Sequence, residues 1–201
     1  MARTVNPEMH ARRRTAIIEA AAVEFARNGI DGTSTAAICK RAGIGSGTLF
    51  HYFPTKQEIV LAVFADDIPR LEELCARALA EPDPDRGLDM MIDHLLDELV
   101  DPLAPGLASA ATVQANRDPD FAAVLQTIDG MVRRTLTTLL RRVGRLPGRS
   151  LPLPAASAAR WIQGLVDAGH LGIVDGPRAQ TVKELRRIVG WLKGLEAQPV
   201  A

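Results

Sequence analysis

Apolar residues in this chain recur at three- and four-residue steps and do not alternate. Ile17, Ile18, Ala21, Ala22 and Phe25 make one stripe. Leu88, Met91, Ile92, Leu95 and Leu99 make another, and Val182, Leu185, Ile188, Val189, Leu192 and Leu195 a third. That period belongs to α-helices buried along one face. Glycine and proline clusters punctuate the pattern: Asn28-Gly29, "EPDPDRG", "DPLAPG", "GRLPGRSLPLP" and "VDGP". The reading is an all-α chain of about nine helices. They are expected over residues 10–27, 34–42, 47–53, 55–80 (kinked or broken at Pro69), 88–100, 107–115, 118–143, 155–173 and 178–195. A length of 201 residues suits one large domain or two small ones.

The segment "AGIGSGTLFHYF", residues 42–53, places three glycines two apart ahead of an aromatic cluster. It is not a dinucleotide fingerprint, because Thr48 stands where the third glycine belongs and no strand precedes it. It is not a P-loop, since no Gly-Lys-Ser/Thr follows. As corner pieces the glycines make sense. Asn28-Gly29 ends the first helix, and the hydroxyls of "DGTST" offer an N-cap for the second. Gly43 ends that helix, and Ile44 plugs the corner. Gly45 and Gly47 keep the next N-terminus thin, and Ser46 is its expected cap. Leu49 and Phe53 face inward, and Pro54 bars continuation. Short helix, tight turn and helix make a helix-turn-helix, whose last helix can enter a major groove.

Charge points the same way. Lysines and arginines balance aspartates and glutamates, 24 each, over the whole chain. In residues 1–56, however, Arg3, Arg12, Arg13, Arg14, Arg27, Lys40, Arg41 and Lys56 outnumber Glu8, Glu19, Glu24 and Asp31 two to one. A basic end on a mildly acidic body is a nucleic-acid footprint, although a solvated basic helix has the same charge.

Residues 33–61, "TSTAAICKRAGIGSGTLFHYFPTKQEIVL", resemble the signature of TetR-type helix-turn-helix transcriptional regulators. Thr33, Ile38, Ala42, Gly43, Ile44, Gly47, Leu49, His51, Tyr52, Phe53, Lys56 and Glu58 carry the resemblance. It covers roughly residues 10–60; the remainder agrees only in length and helical character. Two positions depart from the pattern. Phe50 replaces the usual Tyr and removes a phenolic hydrogen bond, and Cys39 stands where Ala is usual.

The resemblance implies a DNA-binding site. Thr33 and Ser34 stand as phosphate contacts, Ser46, Gly47 and Thr48 as base-reading or near-base positions. His51 and Tyr52 stand as phosphate or base-edge contacts, Phe50 as an apolar contact and Lys56 as a phosphate clamp. For Phe50 and Tyr52 plain core packing is the alternative. Arg3 and Arg12–Arg14 suit a basic arm, with a disordered tail and a solvated first turn as the alternative. The implied organisation is a helix-turn-helix domain over 1–56 and a helical ligand-binding and dimerisation domain over 57–201.

Elsewhere the sequence offers weaker signals. Asp89, Asp93, Asp97 and Asp101 step by four, with His94 and Glu98 beside them. An acidic solvated face near Arg133, Arg134, Arg141 and Arg142 explains them better than a metal, and no metal or cofactor is expected. Met91, His94, Gln114, Phe121 and Trp161 are pocket candidates by position alone. Gly164, Ala168 and Gly172 lie on one line of the 155–173 helix. With Leu185, Val189 and Leu192 they form the dimer interface that the resemblance implies; packing of both helices on the chain's own body is the alternative.

No apolar run reaches membrane-spanning length, and the basic N-terminal stretch, its apolar part broken by Glu19 and Glu24, is not expected to act as a secretory leader. Cys39 and Cys75 make no disulfide framework. A cytoplasmic location is the default. These readings converge on a homodimeric regulator, most simply a repressor released from palindromic double-stranded operator DNA by a small-molecule effector. A regulator controlled by a protein partner, an activator, or a helical carrier or enzyme with a vestigial helix-turn-helix are the alternatives. No nucleophile–base arrangement supports an enzyme.

Overall fold

The computed structural model describes residues 7–66, 68–172 and 177–195. Among them the chain forms ten α-helices and one 3-10 turn, and no strand. In order these are α1 (Pro7–Gly32), α2 (Thr35–Ala42), α3 (Ser46–Tyr52), α4 (Lys56–Ala65), α5 (Ile68–Ala80), α6 (Pro84–Asp97), the turn Glu98–Val100, α7 (Ala104–Ala115), α8 (Pro119–Val143), α9 (Ala155–His170) and α10 (Arg178–Leu192).

The tenth helix arises where a single helix over 55–80 was expected. The break falls just before Pro69, between α4 and α5, and Pro69 sits in the first turn of α5. Proline tolerates that position because the first N–H groups of a helix have no internal partner. The same logic starts α6 at Pro84, with Asp83 capping the Asp85 amide at 2.9 Å. The "EPDPDRG" stretch therefore ends α5, as expected, and its Pro84 opens α6 ahead of the expected start at 88.

Two hydrophobic clusters hold the helices together. The N-terminal one joins Ile17, Phe25, Ile38, Leu49, Phe53 and Ile59 to Ala110, Ala111 and Phe121 from α7 and α8. The second joins Leu88, Met91, Leu96, Leu136, Leu139 and Ile162 to Leu185, Val189 and Leu192. Full burial of each such aliphatic side chain contributes about 1.5–3 kcal/mol. Backbones approach closely where α7 crosses α1. A Cβ on Gly106 would fall within 2.8 Å of the Ala26 carbonyl carbon, so only glycine fits there.

The acidic ladder of α6 turns toward α10 and not toward the α8 arginines. Asp93 pairs with Arg186, and Asp89 accepts from Lys193 at 2.5 Å. Arg178 donates to the Asp101 carbonyl. Lys193 is buried, and its ammonium also lies 3.5 Å from Asp85, whose other oxygen accepts from Arg149 at 2.6 Å. Of the α8 arginines, Arg142 instead caps the end of α5 by donating to the Leu79 and Glu81 carbonyls. Among the described residues no group of three or more His, Cys, Asp or Glu side chains is arranged to hold a metal ion. No described helix is long and apolar enough to cross a membrane.

Candidate nucleic-acid interface

The turn between α2 and α3 is built by conformation. Ser34 caps α2 by accepting from the Ala37 amide at 3.1 Å. Gly43 closes the helix with φ 65°, a left-handed geometry that penalises any side chain. Gly45, not the expected Ser46, is the N-cap of α3, and no side chain caps that end. Space around Gly45 and Gly47 is open, with nothing within 4 Å of a Cβ built at either. The fold itself therefore does not require glycine at 45 or 47. The thinness they confer faces outward.

α3 is bolted down on one side. Leu49 is fully buried and Phe53 is 3% exposed, whereas Phe50 is 46% exposed and so does not serve as core. Ser46, Gly47 and His51 are exposed, and Thr48 and Tyr52 half-buried. Tyr52 is covered by His10 of α1, with ring centroids 4.5 Å apart, and His51 meets the edge of Tyr52 at 5.3 Å. One turn along α1, Arg14 lies over the Phe53 ring at 5.2 Å and pairs with Asp66 at 2.5 Å. Arg12 and Arg13 are exposed on the same segment, and Arg3 lies outside the described residues.

Two expected phosphate contacts have internal duties. Thr33 is buried, and its one hydroxyl proton is shared between the Gly29 carbonyl at 2.7 Å and the Glu24 carbonyl at 3.1 Å. Its side chain is a strut that closes the end of α1 where Gly29 turns left-handed, which corrects the expectation of a phosphate contact. Lys56 is half-buried, and its ammonium donates to the Ile30 carbonyl at 2.5 Å. An ammonium has three protons, so two remain for an outside acceptor. Ser34 is exposed.

Sequence reading missed the polar groups that set the angle of this unit. Glu24 is nearly buried and accepts from Arg41 at 2.6 Å and Asn28 at 2.9 Å, tying α2 to α1. Glu24→Ala leaves the Arg41 guanidinium and the Asn28 amide without their acceptor. The expected cost is about 1–3 kcal/mol of stability, read as a lower urea midpoint at unchanged m-value. Asp118 is a second hub. It caps α8 through the Phe121 amide at 3.0 Å, and accepts from Gln114 at 3.1 Å and from Gln57 in the first turn of α4. The Phe121 amide, followed by the two glutamines, holds its carboxyl below the usual range. Nearby, Arg117 pairs with Asp31 at the end of α1. The α7–α8 corner thus grips both the end of α1 and the first turn of α4.

The five pocket candidates do not converge. Met91 and Phe121 are fully buried in different clusters, and Trp161 is 56% exposed. His94 lies 3.4 Å from Glu98, and Gln114 is engaged with Asp118. Gln114 alone of the five borders an open concavity of about 390 Å3 between the end of α1 and α7.

The expected dimer residues also divide. Leu185, Val189 and Leu192 are buried in the chain's own core, because α10 packs on α6 and α9 along that face. Gly172 lies beyond the end of α9 with φ 66°, so it is a turn glycine and not a point on a helix face. Gly164 stands in open space, and Ala168 is half-buried. Gly169 does mark a close approach, but within the chain: a Cβ there would meet Leu99 at 3.0 Å. The outward apolar side chains of these helices are Trp161, Ile188 and Trp191.

Comparison with known proteins agrees with this geometry. Residues 17–63 match the family model for bacterial regulatory proteins of the tetR family. The chain is similar to the HTH-type transcriptional repressor AcnR of Corynebacterium jeikeium, with 31% identity over 131 residues, 65% of each chain. Similarity to the HTH-type transcriptional regulator UidR of Escherichia coli is 40% over 57 residues, 28% of this chain and 29% of UidR. The matched region therefore spans just under two thirds of the first relative and less than a third of the second. A TetR-family transcriptional regulator from Agrobacterium tumefaciens has the same fold, with a TM-score of 0.73 and 20% identity over 91% of this chain and 98% of that one. The matched helices are those that form the capped turn, the exposed α3 face and its buried anchor, so over residues 17–63 the chain carries the helix-turn-helix segment of the tetR-family bacterial regulatory proteins.

Proposed function

We propose that this chain is a DNA-binding transcriptional regulator, a repressor acting as a homodimer on a palindromic operator and released by a small molecule. One observation carries the reading: the tetR-family match at 17–63 coincides with a helix-turn-helix whose α3 turns Ser46, Gly47, Phe50 and His51 outward on a buried anchor. In this reading residues 1–56 are the DNA-contacting unit and 57–201 the regulatory and dimerisation unit. A two-fold dimer would set its recognition helices about 34–36 Å apart, one DNA turn. Ser46, Gly47 and Thr48 read or approach bases, Phe50 makes an apolar contact, and Ser34, His51, Tyr52 and Lys56 serve the backbone or base edges.

The grip of Asp118 on Gln57 supports a route for control. A ligand that favours one placement of the α7–α8 corner would move the start of α4, and Lys56 with it. Linkage then requires DNA to weaken ligand binding by the factor by which ligand weakens DNA binding.

The test is fluorescence anisotropy on a duplex enriched by the wild-type chain from a random pool. Lys56→Ala should weaken binding to every sequence and lower the salt slope by about one. Thr48→Ala should leave the slope alone and change the enriched sequence. A wild-type chain that enriches no duplex would overturn the proposal.

A further inference from the structure

We infer that His10, outside the helix-turn-helix, is a positioning residue for DNA recognition: it holds Tyr52, and through Tyr52 the exposed His51, at the far end of α3. This rests on the DNA-binding reading above. The geometry is specific. α3 is only seven residues long, and its last turn ends at Phe53, so its own hydrogen bonds restrain Tyr52 little. The restraint comes from α1. His10 and Arg14, one turn apart, each take one ring from the end of α3: His10 lies 4.5 Å from Tyr52 at a tilt of 38°, and Arg14 lies 5.2 Å above Phe53. His51 then stands edge-on to Tyr52 at 5.3 Å and 6.3 Å from His10. Three rings form one cluster at the rim of the outward face. Without the His10 ring, Tyr52 loses its cover and gains rotamers, and binding must then order it.

The expected role is indirect, and that separates it from a phosphate contact. A positioning ring changes affinity without changing the number of counterions released, whereas a phosphate ligand alters the salt slope. The role also requires a ring, not a nitrogen, so Phe should substitute for His10 and Ala should not.

The experiment pairs two readouts on the full-length chain. Tyrosine occurs once in the sequence, so 3-fluorotyrosine labelling gives a single 19F line that reports position 52 without DNA. In His10→Ala this line should move toward that of the unfolded chain, and in His10→Phe it should stay displaced. On the duplex enriched by the wild type, His10→Ala should bind about fivefold more weakly at an unchanged salt slope. His10→Phe should bind within about twofold of wild type. Equal binding by His10→Ala and wild type, a salt slope lowered by about one in His10→Ala, or failure of His10→Phe to restore binding each overturns the inference. A 19F line that His10→Ala leaves in place overturns it as well. A wild-type chain that binds no duplex overturns the DNA reading and this inference together, whereas wild-type binding that survives His10→Ala overturns the inference alone.

Discussion

Phe121→Ala is expected to lower the thermal midpoint by about 10 °C, from a loss of about 3–5 kcal/mol at about 2–4 °C per kcal/mol for a domain of this size. Phe121 is fully buried, and its ring meets Phe64 edge to face at 5.2 Å. It opens α8 yet belongs to the cluster that holds the helix-turn-helix, so truncation empties the joint between the first helices and the body. Its amide is also the donor that caps α8 onto Asp118. The truncation spares that bond, so the cost is one of packing and cavity formation. Position along the chain suggests a pocket wall, and the two roles separate experimentally. A wall residue faces a cavity, and its truncation enlarges the cavity at little cost in stability. A scanning-calorimetry midpoint within 2 °C of wild type would return Phe121 to the pocket.

The N-terminal helices were legible because their signals are local. Gly43 needs a left-handed φ, Ser34 caps the amide three residues on, and Leu49 and Phe53 are four apart on one face. Each is a property of a few neighbouring residues, and each is present in the structure. The break between α4 and α5 was legible as a break, but not its place. Proline marks a helix start as readily as a helix end, and only the surrounding hydrogen bonds decide between them.

Long-range partnerships were not legible. The ladder Asp89, Asp93 and Asp101 reads as a solvated face at four-residue spacing. Nothing local says that Lys193, Arg186 and Arg178 lie opposite. The same limit hid Asp118, whose three partners come from α4, α7 and α8. Thr33 shows a different failure. Its family position suggested a contact outward, but its hydroxyl is buried against the Glu24 and Gly29 carbonyls of α1. His10 had a sequence signal, since positions 10, 14, 17 and 18 continue the buried stripe of the first helix toward its start. The apolar count stops at Ile17 only because the next partners along the stripe are a histidine and an arginine.

Trp191→Asp should weaken self-association by about thirtyfold or more while leaving the fold intact. A buried anchor at an interface is worth about 2 kcal/mol or more when lost, and a charge put in its place adds a desolvation cost. On α10 one face is already taken. Leu185, Val189 and Leu192 point into the chain's own core, so the opposite face should be polar. Much of it is, with Arg186, Arg187 and Glu184 exposed, but Ile188 and Trp191 interrupt it at 41% and 47% exposure. α9 repeats the pattern: Ile162 and Val166 are buried, and Trp161 is 56% exposed beside an unobstructed Gly164. Both tryptophans of the chain are thus left largely in water on the last two helices. Tryptophan is the residue most enriched among interface anchors, and a two-fold interface uses each such anchor twice. Leu192→Ala is the control. It empties a core site, so it should lower the thermal midpoint, whereas Trp191→Asp should leave that midpoint of the isolated subunit nearly unchanged. Sedimentation velocity across a concentration series measures the association directly. A wild-type chain that stays monomeric at micromolar concentration, or a Trp191→Asp variant that dimerises like wild type, would remove this face from the interface. Loss of operator binding in Trp191→Asp, at a site about 34–36 Å long between half-site centres, would show that the two recognition helices depend on that pairing.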